Sequence, residues 1–388
     1  MSAARVCIVT GGRAEYGLFR PLLRALSADP TFDPYLAVTG QHLSERFGMT
    51  VREVEADPWP IGARVAVELE DDTEAGMTRA TAAVMAGFAD AFSAERPDLV
   101  VVLGDRFETF AAATAAFLGR IPIAHLHGGE LTFGALDDGM RHAVTKLSTL
   151  HFTSTEEYAR RVIRMGEEPA RVHAVGAIGL DNVLAEPRIP RIEIEARTGF
   201  SFGEKSALVT FHPATIDGDA ARAQTLELTA ALSRLSGYHV LVTQSNADAH
   251  GRAVADVLSA WVAEDPAHRT LVGSLGVLRY LSAVREVDVV IGNSSSGLIE
   301  VPSLGTPTVD IGDRQEGRVR PASVVHCEPV ADEIVSAVEI ATSPAFAENL
   351  AQLNPYGDGH TAPRIAGELR VWLAGDRSIK KRFYEGGE

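Results

Sequence analysis

Arg5-Val-Cys-Ile-Val-Thr-Gly-Gly-Arg-Ala-Glu-Tyr-Gly17 runs an apolar, β-branched stretch of strand length into two glycines and then into a helix-opening Arg-Ala-Glu. A short buried strand followed at once by a helix is the start of a parallel βαβ unit. Glycines at such a turn allow close backbone approach, and the helix N-terminus attracts anions. The spacing is not G-x-G-x-x-G. The next strand also ends Val38-Thr39-Gly40, without the acidic residue that holds a nicotinamide ribose, so this loop is a poor dinucleotide fingerprint. A tight strand–helix turn explains the glycines and leaves Arg13 unexplained.

Outward from this unit the pattern repeats. Further strands are expected at Tyr35–Thr39, Arg64–Leu69, Leu99–Leu103, Ile121–His125, Leu150–Thr153 and Val172–Val175. A charged, proline-bearing stretch from Ala185 to Glu193 reads as a linker. The pattern then restarts at Ala207–Phe211, His239–Thr243, Thr270–Val272, Val287–Ile291 and Thr308–Ile311. The expectation is an α/β protein of two Rossmann-like domains, 1–185 and 190–365. A C-terminal helix and tail, 366–388, is expected to pack back on the first domain.

Composition narrows the function. Over 388 residues, 36 basic and 52 acidic side chains leave a net charge of −16. Such a surface repels phosphate backbones and argues against nucleic-acid and anionic-membrane binding. Any phosphate chemistry must rely on a local cluster of Arg or main-chain N–H groups. The two cysteines, Cys7 and Cys327, fit a reduced, cytoplasmic compartment, with Cys7 as buried filler. The longest apolar stretch, Phe110 to Gly119, falls short of the roughly 18 residues that a membrane span requires.

In open α/β sheets ligands bind beyond the carboxyl ends of the strands. Here those ends carry Arg13 and Glu15, Asp105 and Arg106, His125 to Glu130, His212, Asn246, Asn293 to Ser296 and Arg314. If both halves point these ends at a shared cleft, the groups converge on one site. Gly292-Asn-Ser-Ser-Ser-Gly297 offers N–H groups and hydroxyls suited to a diphosphate, with Glu300 one to two turns on for ribose hydroxyls. A serine-capped helix is the plain alternative, and Arg314 tips the balance towards a nucleotide. His125 and His127 share a strand face. With Asp105 or Glu130 they form a two-histidine, one-carboxylate metal set, or else they hydrogen-bond carboxylates and backbone. Asp105, Glu130 and Asp137 suit acid–base work, since crowded carboxylates titrate apart. His212 either acts with them or contacts phosphate, and Arg141 or His142 either orients Asp137 or belongs to an ordinary solvated basic turn.

The chain resembles the hydrolysing UDP-N-acetylglucosamine 2-epimerases through several blocks. These are Gly12-Arg-Ala-Glu-Tyr-Gly17, Gly104-Asp-Arg106, His125-Leu-His-Gly-Gly-Glu130, Arg141-His142, Thr153-Ser-Thr-Glu-Glu-Tyr158, Gly292-Asn-Ser-Ser-Ser-Gly-Leu-Ile-Glu300, Gly312-Asp-Arg-Gln-Glu-Gly-Arg318 and Asn354-Pro-Tyr-Gly-Asp-Gly359. The same blocks are similar to those of relatives acting on UDP- or GDP-linked diacetamido sugars. The resemblance implies a glycosyltransferase-B-like fold with the active site in the cleft, no NAD or metal, a nucleotide-sugar substrate and a homodimer or homotetramer. It also implies elimination of the nucleotide to a 2-acetamidoglucal, followed by hydration. By matching position, Asp105, Glu130 and Asp137 are the acid–base candidates, with His212 beside them. Arg13, Arg106 and Arg314 offset the leaving diphosphate, and Ser294, Ser295 and Glu300 hold phosphate and ribose. Asn246 is placed near the sugar or diphosphate, and His127 and Arg141 in the substrate site. Other branches carry a glutamate where this chain has His127, and the animal enzyme a serine where it has Gly17.

Two other classes compete. A glycosyltransferase of the same architecture would need an acceptor and would leave the sugar C2 hydrogen in place. A non-catalytic sensor would have little use for three carboxylates at the strand ends.

Overall fold

The computed structural model describes residues 3–71, 73–133, 136–185, 187–212, 218–244, 251–273 and 275–386. The chain divides into two units, Met1–Asn182 with Tyr356–Glu388, and Val183–Pro355. The divisions fall at 182/183 and 355/356, where the sequence reading has 185, 190 and 365.

The first unit holds a seven-stranded parallel sheet of β1 (Ala4–Thr10), β2 (Phe32–Thr39), β3 (Ile61–Val65), β4 (Leu99–Leu103), β5 (Ile123–Leu126), β6 (Leu150–Thr153) and β7 (Val172–Ala174), in the order β3-β2-β1-β4-β5-β6-β7. The central strands are buried on both faces, so they read as continuous Val, Ile and Leu runs rather than as alternation. One strand departs from expectation: β3 is Ile61–Val65 and not Arg64–Leu69. It lies at the sheet edge and is only partly buried, so its composition carried little signal.

The second unit repeats the plan with β8 (Lys205–Thr210), β9 (Tyr238–Thr243), β10 (Arg269–Val272), β11 (Val289–Gly292), β12 (Thr308–Ile311) and β13 (Val324–Cys327), ordered β10-β9-β8-β11-β12-β13 and parallel. The edge strand β13, four residues following a proline, is absent from the sequence-based set. Part of the expected linker is helical, because Pro190 caps a helix over Arg191–Thr198.

In each sheet the strand order reverses between neighbours that leave in opposite directions, between β1 and β4 in the first and between β8 and β11 in the second. At such switch points the loops after the two strands splay apart and open a crevice. The residues delivered there are Gly11 to Arg13 and Asp105 and Arg106 in the first unit. In the second they are His212 and Asn293 to Ser295.

Candidate active site

β4 hands the chain through Gly104 to Asp105 and Arg106. Asp105 meets Arg141, which projects from the helix Leu136–Leu147 and is 2% exposed. The Arg141 guanidinium pairs with the Asp105 carboxylate. It also donates to Asp138 Oδ1 (3.1 Å), the Glu130 carbonyl (2.8 Å) and Thr132 Oγ1 (3.0 Å). A buried guanidinium is tolerated only with such a full set of acceptors, and its planar fork holds them in fixed directions. Arg141 thus ties the ends of β4 and β5 to the helix.

From sequence, Asp137 is the expected partner of Arg141 and His142, but the observed partner is Asp138. Arg141 bonds it at 3.1 Å, and His142 Nε2 lies 3.4 Å from its Oδ2. Residues three and four apart share a helix face, and the face that buries Arg141 carries Asp138. Asp137 is exposed along the chain, yet its carboxyl is pushed up to about 6. Partial desolvation disfavours the ionised form, and the Asp105 charge repels it further.

β5 delivers the two histidines to different tasks. His125 is fully buried and donates from Nε2 to the Gly104 carbonyl (2.8 Å), while Nδ1 lies 3.2 Å from Thr145 Oγ1. Burial drives its pKa down to about 3, so it is a neutral strut beneath the Asp105 loop. His127 has φ +64°, a left-handed conformation uncommon outside glycine. Its Nε2 accepts from the Ile178 N–H (3.3 Å), which leaves the proton on Nδ1 to donate to Glu130 Oε1 (2.7 Å). Ser154 donates to the same oxygen at 2.9 Å, and Glu130 is 4% exposed. Both histidines therefore spend their ring nitrogens on carboxylate, hydroxyl and backbone partners. Among the described residues no three His, Cys, Asp or Glu side chains gather as a metal-holding set.

Arg106 is engaged in two places by the buried Glu108, Nε to Oε2 at 3.1 Å and Nη2 to Oε1 at 2.9 Å. Burial opposes its charge, but Glu108 and Glu15 outweigh that and raise its pKa. Glu15, in the first turn of the helix Arg13–Ser27, accepts from the Gly11 N–H at 2.6 Å. Burial raises its carboxyl to about 7, against the pull of that bond and of Arg106. Arg13 opens the same helix, half-exposed, with Nη1 3.7 Å from Glu53.

In the second unit Asn293 organises the strand ends. Its Oδ1 accepts from the His212 N–H and its Nδ2 donates to the His212 carbonyl, both at 2.8 Å. Its own carbonyl accepts from Arg314 Nη1 (3.0 Å) and Gln315 Nε2 (2.8 Å). Ser294 and Ser295 follow directly, both half-buried. The helix after them, Ser296–Ile299, is a single turn that ends at Glu300 and passes into the 3₁₀ turn Val301–Leu304. Ser295 stands at its N-cap with no side-chain capping bond among the described residues, so capping does not account for that hydroxyl. Asn246 lies outside the described residues.

The family profile described as UDP-N-acetylglucosamine 2-epimerase matches residues 24–370. The chain belongs to the UDP-N-acetylglucosamine 2-epimerase family. Within it, the chain is 38% identical to polysialic acid biosynthesis protein P7 of Escherichia coli, over 98% of this chain and 97% of that one. It is 33% identical to the GDP/UDP-N,N'-diacetylbacillosamine 2-epimerase (hydrolyzing) of Campylobacter jejuni, over 90% of each. The solved UDP-GlcNAc 2-epimerase of Methanocaldococcus jannaschii, in complex with UDP-GlcNAc and UDP, matches with a TM-score of 0.75 over 96% of this chain and 100% of that one. At 20% identity that likeness speaks to fold, the glycosyltransferase-B-like class expected from the sequence.

Around the candidate residues each unit also holds groups to which motif reading gave no role: Glu15, Glu108 and Asp138 in the first, Asn293 and Gln315 in the second. Glu15, Asn293 and Gln315 stood inside quoted motifs without a role. Glu108 and Asp138 carry no signal in sequence, because their importance lies in what they touch.

Proposed function

We propose that this family member converts UDP-N-acetylglucosamine and water to N-acetylmannosamine and UDP, in sialic-acid-type sugar biosynthesis. The observation that carries the acid–base part is Asp137, a carboxyl raised to about 6 beside the Arg141-held Asp105. A carboxyl of that strength is mostly ionised at neutral pH yet readily takes a proton, which suits abstraction from a carbon next to a polarised centre.

On this reading a carboxylate of the Asp105, Glu130 and Asp137 set removes the sugar C2 proton while the C1–O bond to the diphosphate breaks. UDP leaves, and a 2-acetamidoglucal remains. A proton then returns to C2 from the opposite face and water adds at C1, which inverts C2. Two faces need two groups, and this is the use of several carboxylates. His127 orients Glu130, and His212 serves as a further partner in proton transfer. Arg13, Arg106 and Arg314 offset charge gathering on the leaving diphosphate. Ser294, Ser295 and Glu300 hold phosphate and ribose, with Asn246 towards the sugar or diphosphate.

The second reading is the same reaction on a UDP- or GDP-linked diacetamido sugar. It is favoured by the name borne by the 33% identical Campylobacter relative. Proton NMR of the protein with UDP-N-acetylglucosamine in heavy water separates the two. Release of UDP with N-acetylmannosamine deuterated at C2 is the expected result. Turnover only of a diacetamido sugar nucleotide would move the assignment to the second reading, and release without deuterium at C2 would count against elimination altogether.

A further inference from the structure

β8 and β11 close on one another as they end. Their last paired residues are Thr210 and Gly292, and Gly292 has φ +145°; a Cβ there would lie 1.9 Å from the Thr210 carbonyl oxygen. Only glycine permits that approach. The next residue, Asn293, is 1% exposed, and its N–H continues to the Thr210 carbonyl at 3.2 Å. Where a further rung of the ladder would come, its side-chain amide bonds both backbone groups of His212. Its carbonyl meanwhile receives Arg314 and Gln315 from the loop after β12. Three strand ends thus meet on one residue, through its side-chain amide and its backbone carbonyl. The position demands a donor and an acceptor side by side on a short stem, which asparagine alone supplies at this length.

We infer that Asn293 is a positioning residue: it locks His212 and Arg314 into one frame at the switch point of the second sheet. The inference rests on the proposed function, in which His212 and Arg314 serve the nucleotide sugar. Asn293 acts through them and not by contact with the reacting atoms. Asn293→Asp keeps the shape and the acceptor for the His212 N–H but sets a carboxylate oxygen against the His212 carbonyl. Asn293→Ala removes both bonds. Gln315→Ala removes one donor from the Asn293 carbonyl and leaves the His212 bonds in place.

The test combines calorimetric titration of the full-length protein with UDP, steady-state kinetics on the nucleotide sugar, and hydrogen exchange at the His212 amide. Folded Asn293→Asp and Asn293→Ala should bind UDP about tenfold more weakly, lose kcat as well as affinity, and exchange the His212 amide faster. Gln315→Ala should weaken UDP by about threefold with His212 exchange unchanged. It also carries the test if Asn293→Ala does not fold. UDP affinity and kcat/KM within twofold of wild type in folded Asn293 variants would overturn the inference, since a merely structural role would lower Tm alone. Absence of UDP binding by the wild type, with His212 exchange still answering to Asn293→Asp, would overturn the proposed function while upholding the lock on His212.

Discussion

Asp137 shows how a single side chain acquires its chemistry from its neighbours. In sequence it is one of two adjacent aspartates, and nothing local separates it from Asp138. In the fold Asp138 is taken up by Arg141, His142 and the Thr132 N–H, while Asp137 is left to face the Asp105 charge. The sign of the consequence follows. If the ionised form of Asp137 is the working base, kcat/KM should fall about tenfold per pH unit below about 6 and be level above it. Because kcat/KM reports the free enzyme, this ligand-free pKa is the one that applies. A pH–rate profile flat from 5 to 8 would remove Asp137 from the base role. Asp105, Arg106 and Glu130 were legible as candidates because they stand in the loops that follow strands. The tautomer of His127 was not, since it depends on the Ile178 N–H, 51 residues away along the chain.

At the scale of elements, the helix Thr361–Ala374 illustrates support from outside. Its N-cap residue, His360, makes no side-chain capping bond. Asp181, from the helix Gly179–Ala185, accepts instead from the Thr361 N–H (2.9 Å) and the Ala362 N–H (2.7 Å). Two otherwise orphaned donors and the positive helix end are satisfied by one buried carboxylate. Asp181→Ala should cost about 2 kcal/mol in denaturant unfolding, and Asp181→Asn, which keeps one acceptor, clearly less. Equal stability of wild type and Asp181→Ala would show that water caps this helix as well as the carboxylate does. No local motif announces such a cap, because the acceptor lies 180 residues from the donors.

For the molecule as a whole, the chain leaves its first unit at Asn182 and returns at Tyr356. The returning helix places Ala362, Ile365, Ala366, Leu369 and Leu373 in the same core as Ile8, Phe19 and Leu22. Ile365, Leu369 and Leu373 together contribute roughly 6 kcal/mol by burial, comparable to the net stability of a whole domain. A fragment of residues 1–182 should therefore fail to fold cooperatively, as judged by dispersion of its amide NMR spectrum. Addition of residues 356–388 should restore it. The continuous fragment 183–355 should fold alone. A dispersed spectrum from 1–182 by itself would refute this account of the first core.

The linear chain determined the class of fold, because a parallel sheet buried on both faces forces continuous β-branched runs, and those runs repeat on either side of residues 185–193. It also determined which residues stand at the strand ends, and with them the family and the chemistry proposed. Edge strands such as β3 and β13 escaped that reading, since half-exposed strands place weak demands on composition. Only the tertiary structure decided that Arg141 takes Asp105 and Asp138, that His127 is held between Ile178 and Glu130, and that Asn293 binds His212 and receives Arg314. A hydrogen bond between strand ends depends on the angle and separation at which the sheet delivers them, and that geometry exists only once the sheet has assembled.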